Sequence, residues 1–422
     1  MPPDLDEALL SLEYLKDPYP IYARIREEAP PLAWSEAFRA WVLTRYDDVL
    51  WATRDPRLVV GLRMPTLLAQ LPEAERVRAR PIVDHYASTL AFTDPPRHTV
   101  VRTLLQKMFS TNAVAALTPG IRALVDSYLD AAGADVFDIM PQLAFRLPVD
   151  VIGEMLGVPL PDRAQFRPWT DDILGIFSTG RVMPEQANTG LASLSEMRAY
   201  LRDLIEERAR QPRDDLVSWF VEQSRPGDTL TRDEVLANCV MLYTAGHATT
   251  SALLGNAFLA LFRHPEQLRL LREDPGSIGT AVEELLRYAT SVQRAWRVAA
   301  TDVEYGGCVI QKGDPIYPLL GSANHDPARF EQPEELDLER QKNRQMAFGQ
   351  GIHFCLGAGL ARLETAVAID TFLRRYPNAT HVEEDVAWDA HMGLGSSLST
   401  LISLLVRLGK GVRGGPREAR AM

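Results

Sequence analysis

The sequence predicts a mainly α-helical protein with small β-sheets, on three observations. Apolar residues return every three or four positions over 115–131, 192–210, 232–263, 277–288 and 359–375, the spacing that lines one face of a helix. Strand-like runs are few and short, at 40–44, 296–301, 308–310 and 315–320, with Gly306-Gly307 and Lys312-Gly313 as turns. No repeat or low-complexity segment divides the chain, so 1–410 is expected to form a single domain and 411–422, with Gly414-Gly415-Pro416, a disordered tail.

Taken in chain order, Phe92-Thr93-Asp94-Pro95-Pro96-Arg97-His98-Thr99-Val100-Val101-Arg102 opens a helix with prolines in its first turn. His98 and Arg102 then fall four apart on one face, two cationic groups suited to an anion. The capping box Thr231-Arg232-Asp233-Glu234 starts a helix longer than most, and His264-Pro265 stops it. Its middle, Leu242-Tyr243-Thr244-Ala245-Gly246-His247-Ala248-Thr249-Thr250-Ser251, carries small and hydroxylated residues where a core helix would carry large aliphatics. That fits either close packing against a neighbour or a groove where a ligand enters the hydrogen-bond ladder. In Glu283-Glu284-Leu285-Leu286-Arg287 the arginine has a carboxylate at both i−4 and i−3, so spacing does not choose its partner. Alternation through Gln293-Arg294-Ala295-Trp296-Arg297 sends Gln293 and Ala295 to the side of Arg297 and turns Trp296 into the core.

Composition bounds the function. With 46% hydrophobic and 24% charged residues, the 422-residue chain is able to bury a large core. Its 45 basic against 56 acidic residues give a net charge of -11, which argues against a general nucleic-acid binder. Cys239, Cys308 and Cys355 lie far apart with no CxxC pair, so no disulfide framework or structural zinc is expected, and a reducing compartment is. Neither a leader pattern nor an apolar run of roughly 18 residues is present, so the expectation is a cytoplasmic protein without a membrane anchor.

In Phe348-Gly349-Gln350-Gly351-Ile352-His353-Phe354-Cys355-Leu356-Gly357-Ala358-Gly359-Leu360-Ala361-Arg362, a glycine-rich loop and one cysteine lead straight into a helix. A thiolate at a helix N-terminus is favoured by the free N–H groups and the dipole. Glycines at 349, 351 and 357 let the backbone approach a flat, bulky ligand. A lone cysteine is also a common inert core residue. Gly349-x-Gly351 is not a dinucleotide fingerprint, because Phe354 stands where the third glycine belongs and no alternating strand and helix pattern surrounds it.

This stretch resembles the haem-binding signature of the cytochrome P-450 family, Phe-x-x-Gly-x-x-x-Cys-x-Gly, at Phe348, Gly351, Cys355 and Gly357. The resemblance runs from Asp17-Pro18-Tyr19-Pro20 to the region 394–405, with the motifs in the family's order. It implies a haem b held between a long distal helix and a proximal cysteine loop, as in the soluble bacterial members. Cys355 becomes the iron ligand, with Phe348 over the sulfur and Gly349 and Gly357 beside the ring. His98, Arg102, Arg297 and His353 become propionate ligands, and Glu284 with Arg287 a structural pair. Ala245-Gly246-x-x-Thr249 becomes the oxygen site, where Ala248 replaces the usual Asp or Glu. An arginine usually completes the Glu–Arg pair; Glu335 stands at its expected place.

The activity implied is insertion of one oxygen atom from O2 into a hydrophobic small molecule, with electrons from NAD(P)H delivered by a separate ferredoxin and ferredoxin reductase to a monomer. Lys342, Arg344 and Arg362, near the ligand loop, are the expected docking charges. Ala248 keeps a second reading open, peroxide-driven oxidation or oxidative coupling, and a haem sensor or binding protein is a third. Expected substrate contacts are Val292, Gln293, Ala245, Thr249 and Ser397, and the candidate pocket segments are the loop 59–87, the region 166–194, Val292-Gln293 and the stretch 395–398. Their apolar character fits a terpenoid, steroid, fatty acid or polyketide.

Overall fold

The computed structural model describes residues 1–133, 135–176, 182–224, 229–389 and 396–409; the expected tail lies outside them. Four helices position the site: α1 (Arg97–Met108), α2 (Arg232–Arg263), α3 (Ile278–Tyr288) and α4 (Ala358–Arg375). Helix α2 runs for 32 residues and begins at the predicted capping box, with Thr231 Oγ1 accepting from Glu234 N at 3.2 Å and Glu234 Oε2 accepting from Thr231 N at 2.8 Å. It is buried along most of its length, apolar all round as a central helix must be. Around it pack Arg146–Leu156, Phe166–Gly175, Pro184–Arg210 and α4. No helix among the described residues is long and apolar enough to cross a membrane.

The predicted helices form, with two differences. The run 115–131 splits into Thr111–Ala116 and Thr118–Asp130, because Pro119 in the second helix's first turn has no N–H to continue the first. The segment expected as a loop at 59–87 instead holds three helices, Arg63–Leu68, Glu73–Arg78 and Arg80–Tyr86, after a two-residue strand.

A five-stranded sheet is ordered Leu32–Ser35, Ala40–Leu43, Pro315–Pro318, Arg297–Ala299, Leu58–Val59. Only the pairing of Ala40–Leu43 with Pro315–Pro318 is parallel. A second sheet joins Val136–Asp138, Leu401–Arg407 and Thr380–Trp388. The strand expected at 296–301 shortens to Arg297–Ala299, so the alternation assumed for Gln293 to Trp296 has no strand to act on.

Between His325 and Gln350 the chain has no helix or strand, yet it is closely held. Arg287 and Glu284, both 0% exposed, pair at 2.7 and 2.8 Å. Arg287 also donates to the carbonyls of Asn324 (2.9 Å), Pro333 (2.7 Å) and Glu335 (2.9 Å). Glu284 further accepts from Arg340 Nε at 3.1 Å, from Asn343 Nδ2 at 3.0 Å and from Asp337 N at 3.1 Å. The arginine sought at Glu335 is therefore Arg340, and Glu335 joins the network through its backbone carbonyl. Glu283, the other carboxylate within reach of Arg287 by spacing, pairs with Arg362, whose Nη2 is 3.0 Å from Oε2.

Candidate functional site

A cavity of about 390 Å³ lies between α2 and the cysteine loop. Leu242, Ala245, Gly246, Thr249, Thr250 and Leu253 line it from α2, a spacing of three or four residues that puts one helical face on the space. The stretch of small residues thus forms a groove. The Thr249 hydroxyl donates to the Ala245 carbonyl at 2.8 Å, so the side chain lies along the helix and the wall stays open. Opposite stand Phe348, Gly349, Cys355 and Gly357, followed by Leu360, Ala361 and Glu364 of α4.

The loop holds Cys355 through its N–H, which donates to the Phe348 carbonyl at 3.0 Å. Gly351 is fixed by its surroundings: φ is +76° and a Cβ there would lie 2.6 Å from the Thr53 carbonyl oxygen. The Cys355 sulfur is accessible from the cavity but lies deep in the protein. Burial pushes its thiol up, while the Gly357 N–H and the Arg102 and Arg362 guanidinium groups favour the thiolate. Phe348 packs under Arg362, whose Cζ is 4.5 Å from the ring centroid.

One wall of the cavity is cationic. Arg102 donates to the Phe354 carbonyl at 2.7 Å, and Arg297 to its neighbour Trp296 at 2.8 Å. Burial lowers both guanidinium groups, Arg297 to about 10. Arg63, which the sequence reading did not find, joins this wall with Cζ 4.8 Å from the Trp296 ring and 5.0 Å from Phe92. His98 is 2% exposed and sits behind the wall, its ring 4.3 Å from His353. Burial, then His353 and Arg102, push His98 down to about 4, so with no carboxylate bonded to it the imidazole is neutral near pH 7 and Arg102 is the fixed cation of the two on α1. Burial likewise lowers His353, against the pull of Asp94. For Asp94 burial opposes ionisation, but His353 and the N–H groups of Val60 (3.1 Å) and Gly61 (2.8 Å) hold its carboxyl below the usual range.

Other expectations are corrected by the same geometry. Gln293 does not line this cavity; its amide bonds the Thr290 carbonyl and it faces a separate cleft with Tyr19. Trp296 is a core residue as expected, 6% exposed, and it also borders the cavity together with Arg294 and Ala295. Ala248 is turned aside, and so is His247, whose two ring nitrogens are buried without partners and whose imidazole burial pushes down to about 3. Val292 and Ser397 reach the cavity, with Val60 and Arg63 from 59–87. None of the described residues in 166–194 does, and 177–181, like Gly395, lie outside the described residues.

These residues fit the haem that the sequence implies. A Cβ built on Gly349 or Gly357 meets nothing within 4 Å, so both leave a flat face open toward the cavity. Cys355 offers sulfur between them. His98 Nε2 is buried without a hydrogen-bonding partner, and His353 Nε2 lies 3.9 Å from Asp94 Oδ1, beyond hydrogen-bond reach; with the Arg102 and Arg297 guanidinium groups they make a donor set that suits two carboxylates.

Comparison with known proteins agrees. The chain matches the cytochrome P450 family over residues 44–277 and 278–395. It is 38% identical over 384 residues, 89% of this chain and 88% of the relative, to cytochrome P450 monooxygenase PikC of Streptomyces venezuelae. It is 39% identical over 368 residues, 86% and 87%, to vitamin D(3) 25-hydroxylase of Pseudonocardia autotrophica. Among solved structures, P450BioI in complex with hexadec-9Z-enoic acid ligated acyl carrier protein superimposes with a TM-score of 0.85 at 33% identity, over 94% of this chain and 100% of the other.

Proposed function

This chain belongs to the cytochrome P450 family of monooxygenases, and on that footing we propose that it inserts one oxygen atom from O2 into a lipophilic small molecule, with electrons that start on NAD(P)H and arrive through a ferredoxin and its reductase. The observation that carries the reading is one cavity with Cys355 on one wall and the Gly246 to Thr249 groove on the other. Bound there, haem supplies the redox chemistry as a thiolate-ligated iron that activates dioxygen. The chain's own residues do the rest. Cys355 gives the thiolate, and Gly357, Arg102 and Arg362 favour its charge. Arg102, Arg297, His98 and His353 hold the propionates. Leu90, Ile152, Leu242, Val292 and Leu320 give the substrate an apolar wall and exclude water. Vitamin D3 and an acyl chain, named for two of the similar proteins, are both largely hydrocarbon. A spectral binding screen with lipophilic compounds tests this: a substrate that displaces water from the iron shifts the haem absorption, and no response across steroids, terpenoids, fatty acids and polyketides would sink it.

Ala248 sustains the second reading, peroxide-driven oxidation or oxidative coupling, because it carries no proton and the neighbouring His247 is neutral and faces elsewhere. Ala248→Glu is expected to raise the share of NAD(P)H that ends in product when the substrate fits poorly, and Thr249→Ala to lower it. Equal coupling in wild type and Ala248→Glu would show the missing acid to be irrelevant.

For the reductant protein, Lys342 and Arg344 are exposed cations close to the ligand loop in sequence, and the exposed Arg54 reaches the loop at Gln350 Oε1 (3.2 Å). Arg362, the third expected docking cation, pairs with Glu283 and lies over Phe348 with its side chain 33% exposed. Arg344→Glu should slow reduction by an acidic ferredoxin and weaken its salt dependence, since salt screens such charges over roughly 8 to 10 Å. An unchanged rate and salt dependence would place docking elsewhere.

A further inference from the structure

The haem does not account for all the positive charge on the cavity wall. Among the described residues four guanidinium groups border the cavity, Arg63, Arg102, Arg294 and Arg297. The haem brings two carboxylates, which Arg102 with His98 and Arg297 with His353 answer, leaving Arg63 and Arg294 in excess of them. The carboxyl on the wall, Glu364, is pushed up to about 8 by burial and carries little charge at neutral pH. Asp94 acts on Arg297 and is itself held by the N–H groups of Val60 and Gly61.

The two extra cations sit on either side of a pair of rings. Arg63 Cζ is 4.8 Å from the Trp296 ring, Trp296 is 4.8 Å from Tyr317, and Arg294 Cζ is 5.1 Å from Tyr317. Stacking occupies the face of a guanidinium and keeps its N–H edge for hydrogen bonds. Burial lowers Arg63 to about 10, so it is still a cation at neutral pH, and Arg294 and Arg297 act on it with like charge. Trp296 adds a donor: it is 6% exposed, it borders the cavity, and its indole N–H is buried without an acceptor. An indole N–H can only donate, and leaving it unmet is costly, as is crowding like charges away from water. One anionic acceptor at this end of the cavity relieves both.

We propose that Arg63, Arg294 and the Trp296 N–H form a subsite for a substrate carboxylate, so that the substrate is a lipophilic acid bound as its anion. The inference rests on the monooxygenase reading above and narrows its substrate class. The apolar wall adjoins the subsite, since Val292 and Ala295 pack in one cluster with Leu320, and all three border the cavity. A carboxylate held by Arg63 and Arg294 therefore leaves its hydrocarbon against that wall.

Spectral titration of the haem-loaded protein tests this with dodecanoic acid and cholanic acid, each beside its alcohol and its methyl ester. At least one acid is expected to bind about tenfold or more tighter than its alcohol and ester, as charge-assisted hydrogen bonds imply. Arg63→Met and Arg294→Met should each cut that preference several-fold while affinity for the alcohol changes little. Arg63→Lys should keep part of it, and Trp296→Phe, which retains the ring and loses the N–H, should lower it. Acid and alcohol bound alike in wild type, neither acid bound, or an undiminished preference in Arg63→Met overturns the proposal. Loss of haem from Arg63→Met with the acid preference intact in the protein that stays loaded overturns it too, by making Arg63 a propionate ligand. If Arg63→Met does not fold, the wild-type comparison and Trp296→Phe decide. The carbon monoxide spectrum separates the two layers: a red-shifted band in wild type without acid preference removes this inference alone, whereas absence of the band removes the monooxygenase reading itself.

Discussion

Cys355→Ala protein, reduced and exposed to carbon monoxide, gives no red-shifted absorption band, while wild type gives it. The band reports a thiolate pushing electron density onto iron, so any replacement that cannot supply charged sulfur removes it. Cys355→His loses the band too, although an imidazole is itself a common iron ligand, because it is neutral. The other cysteines do not substitute. Cys239 is buried within α2, where desolvation pushes its thiol well up, and Cys308 belongs to the short hairpin strand Cys308–Ile310. A band that survived in Cys355→Ala would assign the ligand to one of them and undo the site.

Arg287→Met destabilises the protein by about 3 to 5 kcal/mol, because it takes the closest cation from the buried Glu284 carboxylate and leaves the Asn324 and Pro333 carbonyls without their donor, while Glu335 keeps Arg340. Arg340 and Asn343 still reach Glu284, which keeps the loss toward the lower end of that range. Adding Glu284→Gln recovers part of it by removing the stranded charge. Denaturant midpoints of wild type, both single variants and the double variant close the cycle. A loss below about 1 kcal/mol for Arg287→Met would mean that the network is a surface-like pair of little consequence.

Long periodic segments were legible in the sequence, and so was Cys355, whose setting is local: a glycine-rich loop and a helix start within fifteen residues of chain. The three helices in 63–86 were hidden because each spans only six or seven residues, shorter than the window in which a helical period emerges, and Pro65, Pro72 and Pro81 read as breakers. Arg340 escaped notice because its partner Glu284 is 56 residues away and the stretch around it, from 325 to 350, has no period to follow. The neutrality of His98 is a consequence of burial, which spacing does not reveal. Gln293 was misplaced by extending a strand that starts only at Arg297. Glu364 was within reach, since its seven-residue offset from Gly357 already puts it on the ligand face of α4.

The irregular stretch from 325 to 350 differs from an ordinary surface loop in what variation it accepts. Loops usually absorb insertions and deletions with little effect, because closure entropy changes slowly with length. Here Asn324, Pro333 and Glu335 offer carbonyls to one guanidinium, Asp337 N and Asn343 answer one carboxylate, and Met346 N donates to Asn324 Oδ1 at 2.6 Å. Each bond fixes the chain distance to the next, and the last segment leads directly to Phe348 and Cys355. The number of residues between Asn324 and Met346 is therefore set by the network, so an insertion there is expected to cost more than a change of side chain at exposed points such as Gln341 and Lys342.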